Sequence, residues 1–525
     1  MQYEGCWTDY RNPYRCSKIT QLLRMRRIIS ICVLLCIVIC TGAQVSRLGE
    51  NVQYSFSVQG TAGSGDNAPF WFTNNRYGLG TTENFGGLAR VALWRTADTD
   101  SLWFWRIGYG VDLASPINSE NGYFCIQQAY ADIEWKMLCL SLGQKERIPE
   151  LKNPYLSTGG LTLGMNARPL PQVRIEMPEF WAIPGTNGIF SFRGHIAYGW
   201  YTDAKWQKKF NAATDKAYTS GSMFHSKALF VKLGNKERFP LELTGGLEMA
   251  CQFSGTGWNL RQYTGESMEQ SVNLGGNVWT AFLPGGGDVN DENYTNAAGN
   301  HIGSWHLRLD WSQRKWNVGV YMEHMFEDHS QMFLQYGWKD MLLGLEVELP
   351  QNPFLSNFVY EYNTTMHQSG PIYHDRTEEN PQQISARDDY YNNHVYGSWQ
   401  MGGFVMGNPL LLSPVYNPYF NQTGNLALMH NRVSVHHIGL MGRPLEEWSW
   451  RILYTHHYSL GKYIMPVDNP CSANYLLLET SYSPRWCRGL SFTASYGHND
   501  GNLLGNSNGA MLTVRFDGWI NRTQW

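Results

Sequence analysis

Residues 388–399 read DDYYNNHVYGSW. A sugar ring presents apolar C–H faces that pack on aromatic rings, and hydroxyls that pair with carboxylates and amides. Tyr390, Tyr391 and Trp399 supply the first kind of partner; Asp389, Asn392 and Asn393 supply the second. These six are the candidate carbohydrate-binding residues. The same composition also suits a loop folded on itself inside a barrel, its polar groups satisfied internally, and a plug that lines a barrel mouth would do both.

Other spacings that could carry chemistry read as structure. GNSNG (505–509) matches G-x-S-x-G, but a nucleophile elbow needs strand, sharp turn and helix. Here a strand pattern follows, and Gly and Asn form turns. His436-His437 and His456-His457 are adjacent pairs. On a strand, neighbours point to opposite faces, so neither pair can chelate one ion from one side. Glu346 and Glu348 share a strand face, as a glycosidase acid pair would; Arg308, Arg451 and Arg515 on other strands suggest a salt-bridged lumen lining instead. No catalytic residue, metal or cofactor is expected, and the chain is expected not to be an enzyme.

The elements that would position these groups are strands. Of 525 residues, 14% are aromatic and 53 are Gly, a mixture that suits pleated faces and turns. The formal charge is −3, which leaves no basic field for nucleic acid. Period-two alternation recurs: Leu307 and Leu309 alternate with Arg308 and Asp310, and Leu343, Leu345 and Val347 with Gly344, Glu346 and Glu348. Eighteen strands are read from 52–60 to 509–520. Links after even-numbered strands are short (WKM, SQRK), whereas 61–84, 145–170, 202–223, 255–300 and 366–429 follow odd-numbered ones. That parity is the layout of an all-β, transmembrane antiparallel barrel of about 18 strands, with short periplasmic turns and long extracellular loops. Trp105, Trp135, Trp200, Trp311 and Trp448 lie near strand ends, where interfacial girdles belong.

At the N-terminus, Arg26-Arg27, an apolar run from Ile28 to Ile39 and Thr41-Gly42-Ala43 have the order of a secretory signal. Residues 25–43 are therefore read as a cleaved signal peptide, 1–24 as an extension from a start assigned too early (Met25 being the true one), and 44–525 as the barrel domain. Cys125, Cys139, Cys251, Cys471 and Cys487 remain after cleavage, an odd number without CxxC; idle thiols are expected rather than a disulfide framework. Outward Leu307 should reject charge, and Arg308 should accept a neutral polar residue.

Several stretches resemble the Wzi-type capsule assembly family. They include AYADIEWKMLCLSLGQKER (129–147), STGGLTLGMNARPLPQVRI (157–175), LPQNPFLSNFVYEYNTTMHQSGP (349–371) and YYNNHVYGSWQMGGFVMGNPLLLSP (390–414). The resemblance implies an eighteen-stranded outer-membrane barrel acting as a surface lectin. It would anchor or assemble capsular or extracellular polysaccharide at the cell surface without making or cleaving it. The expected partners are that polysaccharide and outer-membrane lipid, with no nucleic acid, and the expected state is a monomer. The alternative is a sugar-specific porin, since a barrel this size can leave an aqueous channel. The family's better known members carry a helical bundle on the periplasmic side; only about eight residues separate Gln44 from the first strand here.

Overall fold

A computed structural model describes residues 48–522 apart from 98–104, 120–121, 123, 213–215, 261–270, 275, 284–298, 328–338, 351, 353, 369–371, 374–383, 386–387 and 394. The reading of residues 1–43 as an extension and a signal peptide lies outside them. The chain divides into a large compact unit, Gln53–Gly518, and a small one in which the described residues are 48–52 and 519–522. The barrel strands belong to the large unit but for their outermost residues.

Eighteen antiparallel strands close on themselves. They are β1 (Val52–Gly65), β2 (Phe85–Arg95), β3 (Trp105–Ile117), β4 (Cys125–Trp135), β5 (Leu138–Gln144) and β6 (Pro171–Glu176, resuming at Trp181–Ala182). Then follow β7 (Phe190–Trp200), β8 (Met223–Leu233), β9 (Leu241–Phe253), β10 (Asn300–Ser312), β11 (Asn317–Glu327) and β12 (Met341–Glu348). The last six are β13 (Asn357–Thr364), β14 (Val433–Gly442), β15 (Trp448–Lys462), β16 (Met465–Tyr482), β17 (Leu490–Gly501) and β18 (Ser507–Ile520). Each strand pairs with its neighbours in sequence, and β18 pairs with β1. Closure leaves no open sheet edge, the condition for a sheet to cross lipid. No helix among the described residues is long and apolar enough to cross a membrane.

The pleat sorts the side chains. On β10, Leu307 is 45% exposed and Leu309 41% exposed on the outer surface. Arg308 between them faces the lumen and bonds Asp310 and Glu346, each at 2.8 Å. Phe56, Val91, Val111, Ile126, Ile196, Leu229, Val320, Leu343 and Leu512 continue the outer apolar surface around the ring. An exposed apolar belt on the outside of a closed barrel is stable only against lipid. Trp105 and Trp135 stack at 6.0 Å and Trp311 meets Trp316 edge-on at 5.2 Å, all at the short-turn end.

Two details differ from the sequence reading. The link after β15 is a two-residue turn, Tyr463-Ile464, so not every odd-numbered link is long. β16 begins at Met465 rather than near residue 472, and its pairing with β17 starts only at Ala473↔Gly501. Pro466 and Pro470 read as loop residues, but they sit on this overhang, where β17 requests no ladder N–H.

Candidate functional site

The long-loop end of the lumen is filled by chain. The segment between β13 and β14 carries Tyr390, Tyr391 and Trp399, all at most 1% exposed. They join Phe70, Leu156, Leu161, Phe404, Leu410 and Tyr416 in one large apolar cluster. The Tyr390 hydroxyl donates to Asp340 Oδ2 at 3.2 Å, and the Trp399 indole N–H to the Thr162 carbonyl at 2.9 Å. The Tyr391 hydroxyl donates to the Leu161 carbonyl and accepts from the Asn408 N–H. Gly407 lies so close that a Cβ there would collide with the Tyr391 hydroxyl and the Leu161 carbonyl.

The polar candidates are spent in the same way. Asn392 donates to Asp389 at 3.0 Å and to the Leu428 carbonyl at 3.1 Å, and its own carbonyl accepts the Leu428 N–H at 2.6 Å. The Asn393 carbonyl caps the N–H groups of Val395 and Tyr396. Asp389 accepts from Asn431 and faces Lys462 at 3.8 Å. The structure thus brings all six predicted residues together, but as a plug. The three rings present no stacking face to a ligand in this arrangement, because each is packed on all sides.

A second segment locks the plug to the wall. The chain between β5 and β6 runs around the inside of the barrel and meets six consecutive strands. Its Leu151 carbonyl accepts from Arg308 of β10 at 2.9 Å. Lys152 pairs with Glu323 of β11, both side chains almost wholly buried. Asn153 donates to Glu346 of β12 at 2.9 Å. Ser157 and Thr158 bind Glu361 of β13. The Leu156 carbonyl meets His437 of β14 at 2.8 Å, and the Tyr155 carbonyl accepts from Arg451 of β15 at 3.0 Å. Further main-chain N–H groups fasten the plug: Leu161 to Glu323 at 2.7 Å, Gly402 to Asp203 at 2.9 Å, His367 to Asp340 at 2.9 Å and Tyr391 to Glu327. Burial pushes the Asp203 carboxyl up, while the Gly402, Gln207 and Gln400 donors hold it down. A carboxylate fixed by several donors is among the stronger neutral-to-charged contacts available to a loop.

The remaining candidates resolve as structure. GNSNG is the turn into β18, and no helix follows it. His437 faces inward, 2.8 Å from the Thr455 hydroxyl, whereas His436 faces outward, 2.9 Å from the Tyr360 hydroxyl. Glu346 is bonded to Arg308, and Arg451 to Glu479 at 2.9 Å; these are salt-bridged wall residues. Sequence reading missed one cluster: Glu248, His306 and Glu323, from β9, β10 and β11, place donor atoms within 4.8 Å of one another, all buried. The Lys152 ammonium already sits on Glu323 there and supplies the positive charge.

Below the plug, on the side of β1–β4 and β15–β18, the lumen is open as a cavity of about 810 Å³. Its roof is Phe72, Asn75, Arg76, Tyr77 and Leu79 from the segment after β1. A neighbouring cavity of about 500 Å³ shares Met441 and Ser449 with it and is lined by the short turns at Arg443, Glu446 and Glu447. The vestibule therefore continues to the short-turn rim. Toward the long-loop end it narrows past Phe72, Leu79 and Gly80 into about 20 Å³, little more than one water needs.

No family model matches the chain, and no curated protein matches it in sequence. Among solved structures it is similar to Wzi, an outer membrane protein involved in group 1 capsule assembly in Escherichia coli and described as a carbohydrate-binding β-barrel. That likeness has a TM-score of 0.52 and 13% identity over 90% of this chain and 86% of that one. It is also similar to Acinetobacter baumannii OccAB2, with a TM-score of 0.44 and 8% identity over 89% and 98%, and to Pseudomonas aeruginosa OccK3, with 0.43 and 12% over 91% and 98%. At such identities the likeness to Wzi concerns the fold: this chain is built as an outer-membrane β-barrel of eighteen strands.

Proposed function

We propose that this protein is a non-enzymatic, monomeric outer-membrane lectin that holds capsular or extracellular polysaccharide at the cell surface. Short turns in such barrels face the periplasm and long loops the exterior, so the plug closes the outer end. The observation that carries the reading is this stopper: aromatic side chains packed without exposure, backed by a segment bonded to six wall strands, do not line a water channel. A barrel closed in this way is a platform for binding rather than a conduit. Hydroxyl–imidazole pairs such as His195–Ser226 at 3.2 Å and His430–Ser459 at 3.0 Å are buried in the described structure, and no cleavage step is assigned to them. Capsule assembly and carbohydrate binding are stated of Wzi; for this chain they rest on the stopper and on the stretches that resemble the capsule family.

A second reading, a sugar-specific porin, is favoured by the open vestibule, which would conduct if the segment 66–84 moved aside. Two measurements separate the readings. Deleting the gene should release surface polysaccharide into the medium while its synthesis continues. In a planar bilayer the purified protein should stay closed. Polysaccharide that remains cell-attached in the deletion strain, together with a stable conductance blocked by sugars, would favour the porin and sink the lectin.

A further inference from the structure

The plug accounts for the long-loop half of the lumen but leaves the 810 Å³ vestibule without a role. Its volume falls within the roughly 300–1,000 Å³ typical of ligand sites. Its wall is not apolar. Ser55 and Ser57 of β1, Ser449 of β15 and Ser491 of β17 point into it, and among the described residues their hydroxyls have no hydrogen-bond partner. Trp94 stands next to β1 on the paired strand β2, Tyr130 lies on β4, and Tyr155, 62% exposed, hangs from the roof side. Hydroxyls and aromatic rings lining one cavity are what a pyranose needs on its two kinds of surface.

Charge within the vestibule is uneven. Arg90 is matched by two carboxylates, Asp112 at 2.5 Å and Glu146 at 2.8 Å. At the other pole, Arg76 and Arg451 face a single carboxylate, Glu479. Arg451 bonds Glu479 at 2.9 Å, and its Nε, although buried, has no partner. The Arg76 guanidinium has only a long contact, 3.5 Å, to the Trp71 carbonyl. Burial and the neighbouring Arg451 push the Arg76 pKa down, and Glu479 opposes them; a guanidinium remains charged regardless. This pole is therefore one negative charge short.

We propose that the vestibule is a saccharide site open to the periplasmic side and selective for acidic sugars, with the sugar carboxylate seated between Arg76 and Arg451. The proposal rests on the lectin reading and refines it, because it places one binding site on the face away from the cell surface.

The test uses the purified full-length protein in detergent micelles, titrated with trigalacturonate and with neutral galactotriose. Trigalacturonate should bind at least tenfold more tightly. Arg76→Gln should abolish that preference and Arg76→Lys should retain most of it. Ser57→Trp, which pushes an indole into the cavity and leaves the plug untouched, should remove binding, with heat-modifiability on gels as the control for folding. Equal affinity for the two trimers, no binding of trigalacturonate, or binding that survives Ser57→Trp would each overturn the proposal. Polysaccharide shed by the deletion strain alongside such a result would leave the lectin reading standing and the vestibule site rejected.

Discussion

Leu307 and Arg308 are neighbours on β10 and meet opposite surroundings. Leu307→Arg puts a charge near the middle of the apolar belt and should cost about 2–4 kcal/mol. The sequence alone suggested that Arg308 would accept a neutral polar residue. The lumen corrects this, because Arg308 bridges Asp310, Glu346 and the Leu151 carbonyl. Arg308→Gln should therefore cost about 1–3 kcal/mol, since two carboxylates with little solvent lose their partner. Lys152→Met should cost more, about 3–5 kcal/mol, because it leaves the buried Glu323 without its cation. Urea unfolding of the micelle-bound protein ranks all three; an Arg308→Gln midpoint equal to wild type would mean the bridge contributes nothing.

At the scale of elements, strands were legible and loops were not. Alternation such as Leu343, Leu345 and Val347 against Glu346 and Glu348 records which side faces lipid, and it needs only local sequence. What a loop does inside a barrel depends on distant partners: Asn153 meets Glu346 across 193 residues, and Leu156 meets His437 across 281. No local pattern encodes those pairs. The stretch at 388–399 shows the limit, since Tyr, Trp, Asp and Asn suit a sugar surface and a packed plug equally well, and only burial separates them. Replacing Tyr390, Tyr391 and Trp399 together by Ala removes three buried rings, each worth about 3–5 kcal/mol in a core. The strands keep their ladders, so the variant should insert and stay heat-modifiable while its plug loosens. Planar-bilayer recording should show conductance that wild type lacks, and sensitivity to large antibiotics should rise. A tight, closed pore in this variant would mean that the three rings do not hold the stopper.

For the whole molecule, stability comes from closure, the lipid belt and the fastened plug rather than from covalent cross-links. Cys125, Cys139 and Cys251 are buried, Cys471 and Cys487 partly so, and all five are free thiols. Reductant should accordingly leave the unfolding midpoint and gel mobility unchanged, and a shift in either would reveal a disulfide. Mass spectrometry of membrane-purified protein should find Gln44 as the first residue; a chain that retains residues 1–24 would refute both the early start and the cleavage site. Glu323, Glu361, Glu327, Asp203 and Asp340 each accept a main-chain N–H, from Leu161, Thr158, Tyr391, Gly402 and His367 respectively. Every amino acid except proline brings that donor. At these five loop positions the side chain can therefore change while the anchorage persists, so that descendants of one barrel could come to share their architecture long after their sequences had ceased to match.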